Sequence, residues 1–140
     1  MFLLGTDHLS IVDRDTIEGF NLGRRLATVP KDSVRVCIVT YEEQMRGWLS
    51  YLARSKTSQD QVAAYRRLRG LVEQYSGTPL LDFDERAAAI FDRIRKSCIR
   101  IGTMDLKIAA IALANGATLL TRNLSDFGRV PELRAEDWTT

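Results

Sequence analysis

Six polar residues lie just beyond, or at the head of, apolar runs that are far apart in the chain. Asp7 follows Phe2 to Thr6. Glu42 and Glu43 follow Val34 to Val39. Asp105 precedes Ile108 to Ala114, and Asn123 and Asp126 follow Ala117 to Thr121. If the apolar runs are buried, these side-chain oxygens gather along one rim. Oxygen-rich clusters suit hard divalent cations such as Mg²⁺ and Mn²⁺. Carboxylates crowded together without a cation repel and raise one another's pKa. A metal removes that cost, activates water and clamps a phosphodiester.

Each of these residues also has a purely structural role open to it. Thr40 and Glu43 fit a capping box. Asp7 fits a helix N-cap, and Asp105 a first-turn acid favoured by the helix dipole. Asn123 and Asp126 fit turn positions. What tilts the balance is the stretch after Asp105. Ile108 to Ala114 has almost no polar face, so a carboxylate at its head lies near the core and needs a partner.

The elements that must hold these residues alternate. Short strands are predicted at 2–6, 34–39, 79–83 and 117–121, with a last one before Trp138. Helices are predicted between them: a short one from Asp7 or Ser10, then 15–28, 40–54, 58–75, 84–96 (capped by Asp84) and 103–115, with one turn at Asp126 and Phe127. Apolar strands interleaved with helices predict an α/β three-layer α/β/α sandwich around a central parallel sheet of four to five strands. Ligand sites in such sheets form outside the C-terminal strand ends.

The length of 140 residues suits a single domain over 1–140. With 45% hydrophobic and 27% charged residues, the composition excludes a disordered chain or a disulfide-stapled miniprotein. No run reaches the roughly 18–20 apolar residues that span a bilayer, and Met1 to Leu4 lack a signal peptide's basic flank. The expectation is a cytoplasmic protein with no membrane contact. Cys37 and Cys98 read as buried free thiols, and the single His8 is too few for a zinc site. The net charge of +2 implies no partner, but sixteen of the twenty basic residues are arginine. Arg66, Arg67 and Arg69 form one cluster, and Arg93, Arg95, Lys96 and Arg100 another. Such runs are either solvated faces or contacts for a nucleic acid backbone or acidic partner.

Four segments resemble PIN-domain toxins of the VapC type, ribonucleases paired with a VapB antitoxin. They are Leu3-Leu4-Gly5-Thr6-Asp7-His8-Leu9-Ser10, Ile38 to Gly47, Ile101 to Ala110, and Gly116 to Phe127. The resemblance implies Mg²⁺- or Mn²⁺-dependent cleavage of single-stranded RNA, an antitoxin partner and a homodimer. It places metal ligands at Glu43 and Asp105 and a fourth, often acidic position at Asn123, with Asp126 a second candidate. Asp7 takes a supporting position, with Thr6 and Thr121 orienting ligands. The first position, usually an aspartate, falls on Gly5.

Three readings of Gly5 stay open: a variant engineered or selected to disarm a nuclease, a natural degenerate copy, or rescue by Asp7. If residues 5 and 7 lie on one strand they share a face about 6–7 Å apart. That is too far for an unchanged metal, so weak binding and low activity are expected. The alternative function is a catalytically inactive antitoxin-binding partner. A third option is a phosphotransferase using Asp7, with Lys107 nearby.

Overall fold

The computed structural model describes all 140 residues. It contains five short strands: β1 (Phe2–Leu4), β2 (Val34–Cys37), β3 (Leu80–Leu81), β4 (Thr118–Leu120) and β5 (Ala135–Glu136). They form one sheet in the order β3-β2-β1-β4-β5, and every pairing is parallel. The chain therefore crosses over between strands, and helices supply the crossings: α1 (Thr6–Ile11), α2 (Ile17–Leu26), α3 (Ile38–Arg54), α4 (Ser58–Tyr75), α5 (Glu85–Lys96), α6 (Thr103–Ala114) and α7 (Leu124–Phe127). This is the expected three-layer α/β/α sandwich around a parallel sheet of five strands.

Alternation along the central strands divides the core in two. Leu3 pairs in register with Leu119, and both belong to the larger cluster with α5 and α6. Leu4 pairs with Leu120, and both point to the other face, with Ile11, Leu22 and Trp138. Opposite pointing of successive side chains is what lets three-residue strands hold two layers. α6 is buried along most of its length, from Leu106 to Ala114. Gly116, at φ +60, turns the chain from α6 into β4, a conformation that a residue with Cβ adopts only under strain.

Helix starts differ from expectation in two places that matter. β1 ends at Leu4, and Thr6 already lies in α1 with Gly5 as its N-cap. Residues 5 and 7 are thus not on a strand, and the same-face argument for Asp7 does not apply. β2 ends at Cys37 and α3 begins at Ile38, so Thr40 is inside the first turn and is not a cap. Asp84, in contrast, caps α5 as expected, accepting from the Ala87 N–H at 2.9 Å.

One burial expectation also changes. Cys37 is buried, but Cys98 is exposed at φ 58, in the turn after α5. Leu49, Tyr51 and Tyr65 lie exposed on the α3 and α4 hairpin.

Candidate active site

The strand order reverses direction at β1. The chain builds β2 and β3 on one side and β4 and β5 on the other, which makes the β1/β4 junction a topological switch point. A cleft of about 320 Å³ opens there. Gly5, Thr6 and Asp7 enter it from the end of β1, Thr121 and Asn123 from the end of β4, and Asp105 from the first turn of α6.

Asp7 is held from every side. Its Oδ1 accepts from His8 Nδ1 at 3.0 Å, and its Oδ2 accepts from the Arg122 N–H at 2.9 Å and the Thr121 hydroxyl at 3.2 Å. Burial works against its ionisation, but the His8 and Arg122 hydrogen bonds outweigh it and hold the carboxyl below the usual aspartate range. His8 itself is fully buried. Its Nε2 accepts from the Trp138 N–H at 3.1 Å, which assigns the proton to Nδ1, facing Asp7. The brace thus runs from Asp7 through His8 to the C-terminal segment. A carboxylate with both oxygens engaged is poorly placed to accept a phosphoryl group. Lys107 lines a different cleft with Phe83 and Met45, which leaves the phosphotransferase option without its lysine.

Glu43 and Asp105 are in the opposite condition. Thr6, at the head of α1, donates to Glu43 Oε1 at 2.9 Å and lies 3.2 Å from the Thr40 hydroxyl. Thr40 is fully buried and also contacts Cys37 Sγ at 3.7 Å. This network replaces the capping box: Glu43 reaches across to α1 instead of back to its own helix start. Burial pushes the Glu43 carboxyl up, and the charges of Asp105 and Glu42 push it further, against the Thr6 hydrogen bond. Burial likewise raises Asp105, reinforced by Asp126 and Asp7. Glu42 turns away to pair with Arg46 at 2.8 Å.

Asn123 and Asp126 face each other, with Asn123 Nδ2 donating to Asp126 Oδ2 at 3.0 Å. Arg129 lies 3.7 Å from Asp126. Of the two, Asn123 lines the cleft, while Asp126 acts on Asp105 through its charge.

Gly5 is buried at the floor of the cleft. Its N–H donates to the Leu120 carbonyl at 2.8 Å, and a Cβ built on it would come within 2.7 Å of that same oxygen. The two strand ends have closed to a spacing that glycine tolerates and a larger residue accommodates only if the backbone gives way.

No three carboxylate, histidine or cysteine groups approach closely enough to share a metal ion. A Mg²⁺ ion needs near-octahedral oxygen ligation at about 2.1 Å. With Asp7 occupied, Glu43 and Asp105 are the remaining acidic donors on the β1 side, and this donor set does not fit a tightly held ion. Residue spacing had pointed to the acids but missed His8 and the Thr6–Thr40 contact that redirects Glu43. The available signal for His8 was its place beside Asp7 directly after an apolar strand.

Relatives agree with this architecture. A tRNA(fMet)-specific endonuclease VapC from Salmonella typhimurium is 36% identical over 81 residues, covering 55% of this chain and 61% of that relative. The match thus spans less than two thirds of that relative's length. Ribonuclease VapC1 from Haemophilus influenzae is 28% identical over 115 residues, 79% of this chain and 78% of that one. Among solved structures, DNA-bound VapBC from Salmonella typhimurium superposes with a TM-score of 0.73 at 26% identity, over 98% of this chain and 97% of that one. The PIN domain family model matches residues 9–133. A match over most of the chain, on a sheet with this order and this rim of acids, means that the chain belongs to the PIN-domain family and has the fold of its VapC-type toxins.

Proposed function

We propose that this chain is a VapC-type toxin, one PIN domain over residues 1–140, whose ribonuclease centre is impaired at position 5. One observation carries the reading. Glu43 from α3 and Asp105 from α6 both resist ionisation, and the charge of Asp105 adds to the cost at Glu43. Thr6, just after β1, bonds Glu43, and Asp105 lines the cleft with Gly5, which offers no side chain. Two partly buried carboxylates in this state are a centre short of a ligand. A third carboxylate at position 5 would complete an oxygen cluster of the Mg²⁺ or Mn²⁺ type, suited to phosphodiester hydrolysis in single-stranded RNA. Thr6 and Thr121 orient the acids around it, with Asp7 as a brace.

The test is RNA cleavage by the chain beside its Gly5→Asp form, with and without Mn²⁺. The expected result is low activity in the chain and a metal-dependent gain on the order of 10²-fold in Gly5→Asp. Since a Cβ at this position presses on the Leu120 carbonyl, Gly5→Ala serves as the packing control. It should lose stability like the aspartate variant and remain inactive. A folded Gly5→Asp protein that stays inert with Mn²⁺ and RNA overturns the reading.

The second reading is a partner protein that binds a VapB-type antitoxin without cleaving RNA. It is favoured by Asp7, whose two oxygens are both committed and which therefore does not substitute for a residue at position 5. The Salmonella relative was solved as VapBC, which supports an antitoxin partner here. The exposed apolar residues Leu49 and Tyr65 support a homodimer. A stable complex with a small protein encoded beside this chain, without any cleavage by Gly5→Asp, favours this second role.

A further inference from the structure

The acidic cleft adjoins a second one at α1. Ser10 lines both; the second, of about 450 Å³, is formed by α1, α3 and α4. The second cleft has the opposite character. Arg66, Arg67, Gln44 and Trp48 line it, and no carboxylate does. Neither arginine takes part in any of the ion pairs of the fold, whereas their neighbour Arg69 is paired with Glu73 at 3.4 Å. The Arg67 guanidinium lies 5.5 Å from the centre of the Trp48 ring. Gly70 leaves the α4 surface open at this point, with nothing within 4 Å of where a Cβ would stand. Gln44 accepts from the Tyr75 hydroxyl at 2.6 Å, which leaves its amide NH₂ as a donor.

We propose that this second cleft is the track of the single-stranded RNA leading to the acidic centre. Arg66 and Arg67 hold its phosphates, and Trp48 stacks against a base. The inference rests on the ribonuclease reading and adds to it the path of the substrate strand. Unpaired arginines beside a half-buried aromatic ring supply the two ingredients of single-strand binding: charge for the backbone and a π-face for the base. A guanidinium over the indole, with no carboxylate partner, is free for bidentate phosphate contact. The open backbone at Gly70 gives the sugar-phosphate chain room to approach the helix. Ser10, shared by the two linings, sets the basic cleft next to the acidic one.

The test is fluorescence anisotropy of a short fluorescein-labelled oligouridylate, in EDTA so that binding is read without cleavage. Arg66→Gln/Arg67→Gln should weaken binding about tenfold and lower the salt slope by about 1.4, for two phosphate contacts of about 0.7 each. Trp48→Leu should weaken binding roughly tenfold while leaving the salt slope unchanged. Arg93→Gln/Arg95→Gln, on α5, is the charge control and should change little. All these arginines are exposed, so the variants should keep the far-UV circular dichroism of the parent.

If the parent binds the oligonucleotide and the Arg66/Arg67 variant binds it with equal affinity and slope, the track is overturned and the ribonuclease reading stands. If the parent binds no RNA, both fall. An equal loss in the α5 control also overturns the track, because it reports net charge alone. Tighter binding of polyglutamate than of oligouridylate, lost in the same variant, assigns the cleft to an acidic polypeptide and overturns the RNA path.

Discussion

Asp7 and Asp105 line the same cleft, with Glu43 beside it on the Thr6 hydroxyl, and the first is in the opposite electrostatic state to the other two. Asp7 is surrounded by donors, its carboxyl pulled below the ordinary range. Burial first, and then the charge of neighbouring acids, pushes those of Glu43 and Asp105 up. The contrast separates support from chemistry. A carboxylate whose oxygens are both used by the protein holds the fold together. One kept near others of its charge, with at most a single hydroxyl for company, is waiting for something from outside.

Substitutions should therefore act with opposite signs on the two sides. The largest stability effect is expected at the brace. Asp7→Ala leaves the Arg122 N–H, the Thr121 hydroxyl and His8 Nδ1–H without their acceptor, at a cost of about 2 kcal/mol. That corresponds to a melting temperature lower by roughly 4–8 °C in calorimetry. Should Asp7→Ala melt with the parent, the brace contributes nothing and the contrast fails.

A smaller effect of the other sign is expected from Glu43→Gln or Asp105→Asn. Each removes a like charge, and the amide oxygen introduced by Glu43→Gln can still accept from Thr6. The melting temperature should rise by roughly 2–4 °C at neutral pH. A fall would mean that the two acids are satisfied by the protein after all.

The smallest and most diagnostic effect is in the pH profile. Glu43 and Asp105 bind protons more readily folded than unfolded, so stability should increase as pH falls from neutral through their raised values. Asp7 has a depressed folded pKa. Its contribution is present above the ordinary aspartate range and is lost as pH falls further, through that lower value. A shallow maximum in melting temperature near the ordinary carboxylate range is thus expected for the parent. In a Glu43→Gln/Asp105→Asn double variant the rise should vanish while the acid-side fall remains.

Much of the framework was legible from residue order. Short β-branched and leucine-rich runs between helices announced a parallel sheet, and the apolar length of α6 announced a central helix. The acids were legible too, because the ends of buried strands are where parallel sheets place polar groups. What escaped was decided by contacts between distant residues. Gly5 and Thr6 look like the continuation of an apolar strand, yet the Gly5 N–H bonds to Leu120 just as the helix begins. Thr40 and Glu43 have capping-box spacing, and only the approach of Thr6 diverts the glutamate. Cys98, next to Ile99, reads as a buried thiol but emerges at a left-handed turn.

The hydrogen bond from Trp138 to His8 joins residues 130 positions apart. During synthesis, His8 leaves the ribosome long before the amide that it needs. Until Trp138 follows, the imidazole cannot settle its proton between neighbours, and the segment carrying Asp7 lacks its anchor. Contacts of such separation form late in folding. A polypeptide ended before Trp138 would therefore leave His8, and Asp7 through it, without the anchor at the far end of the chain.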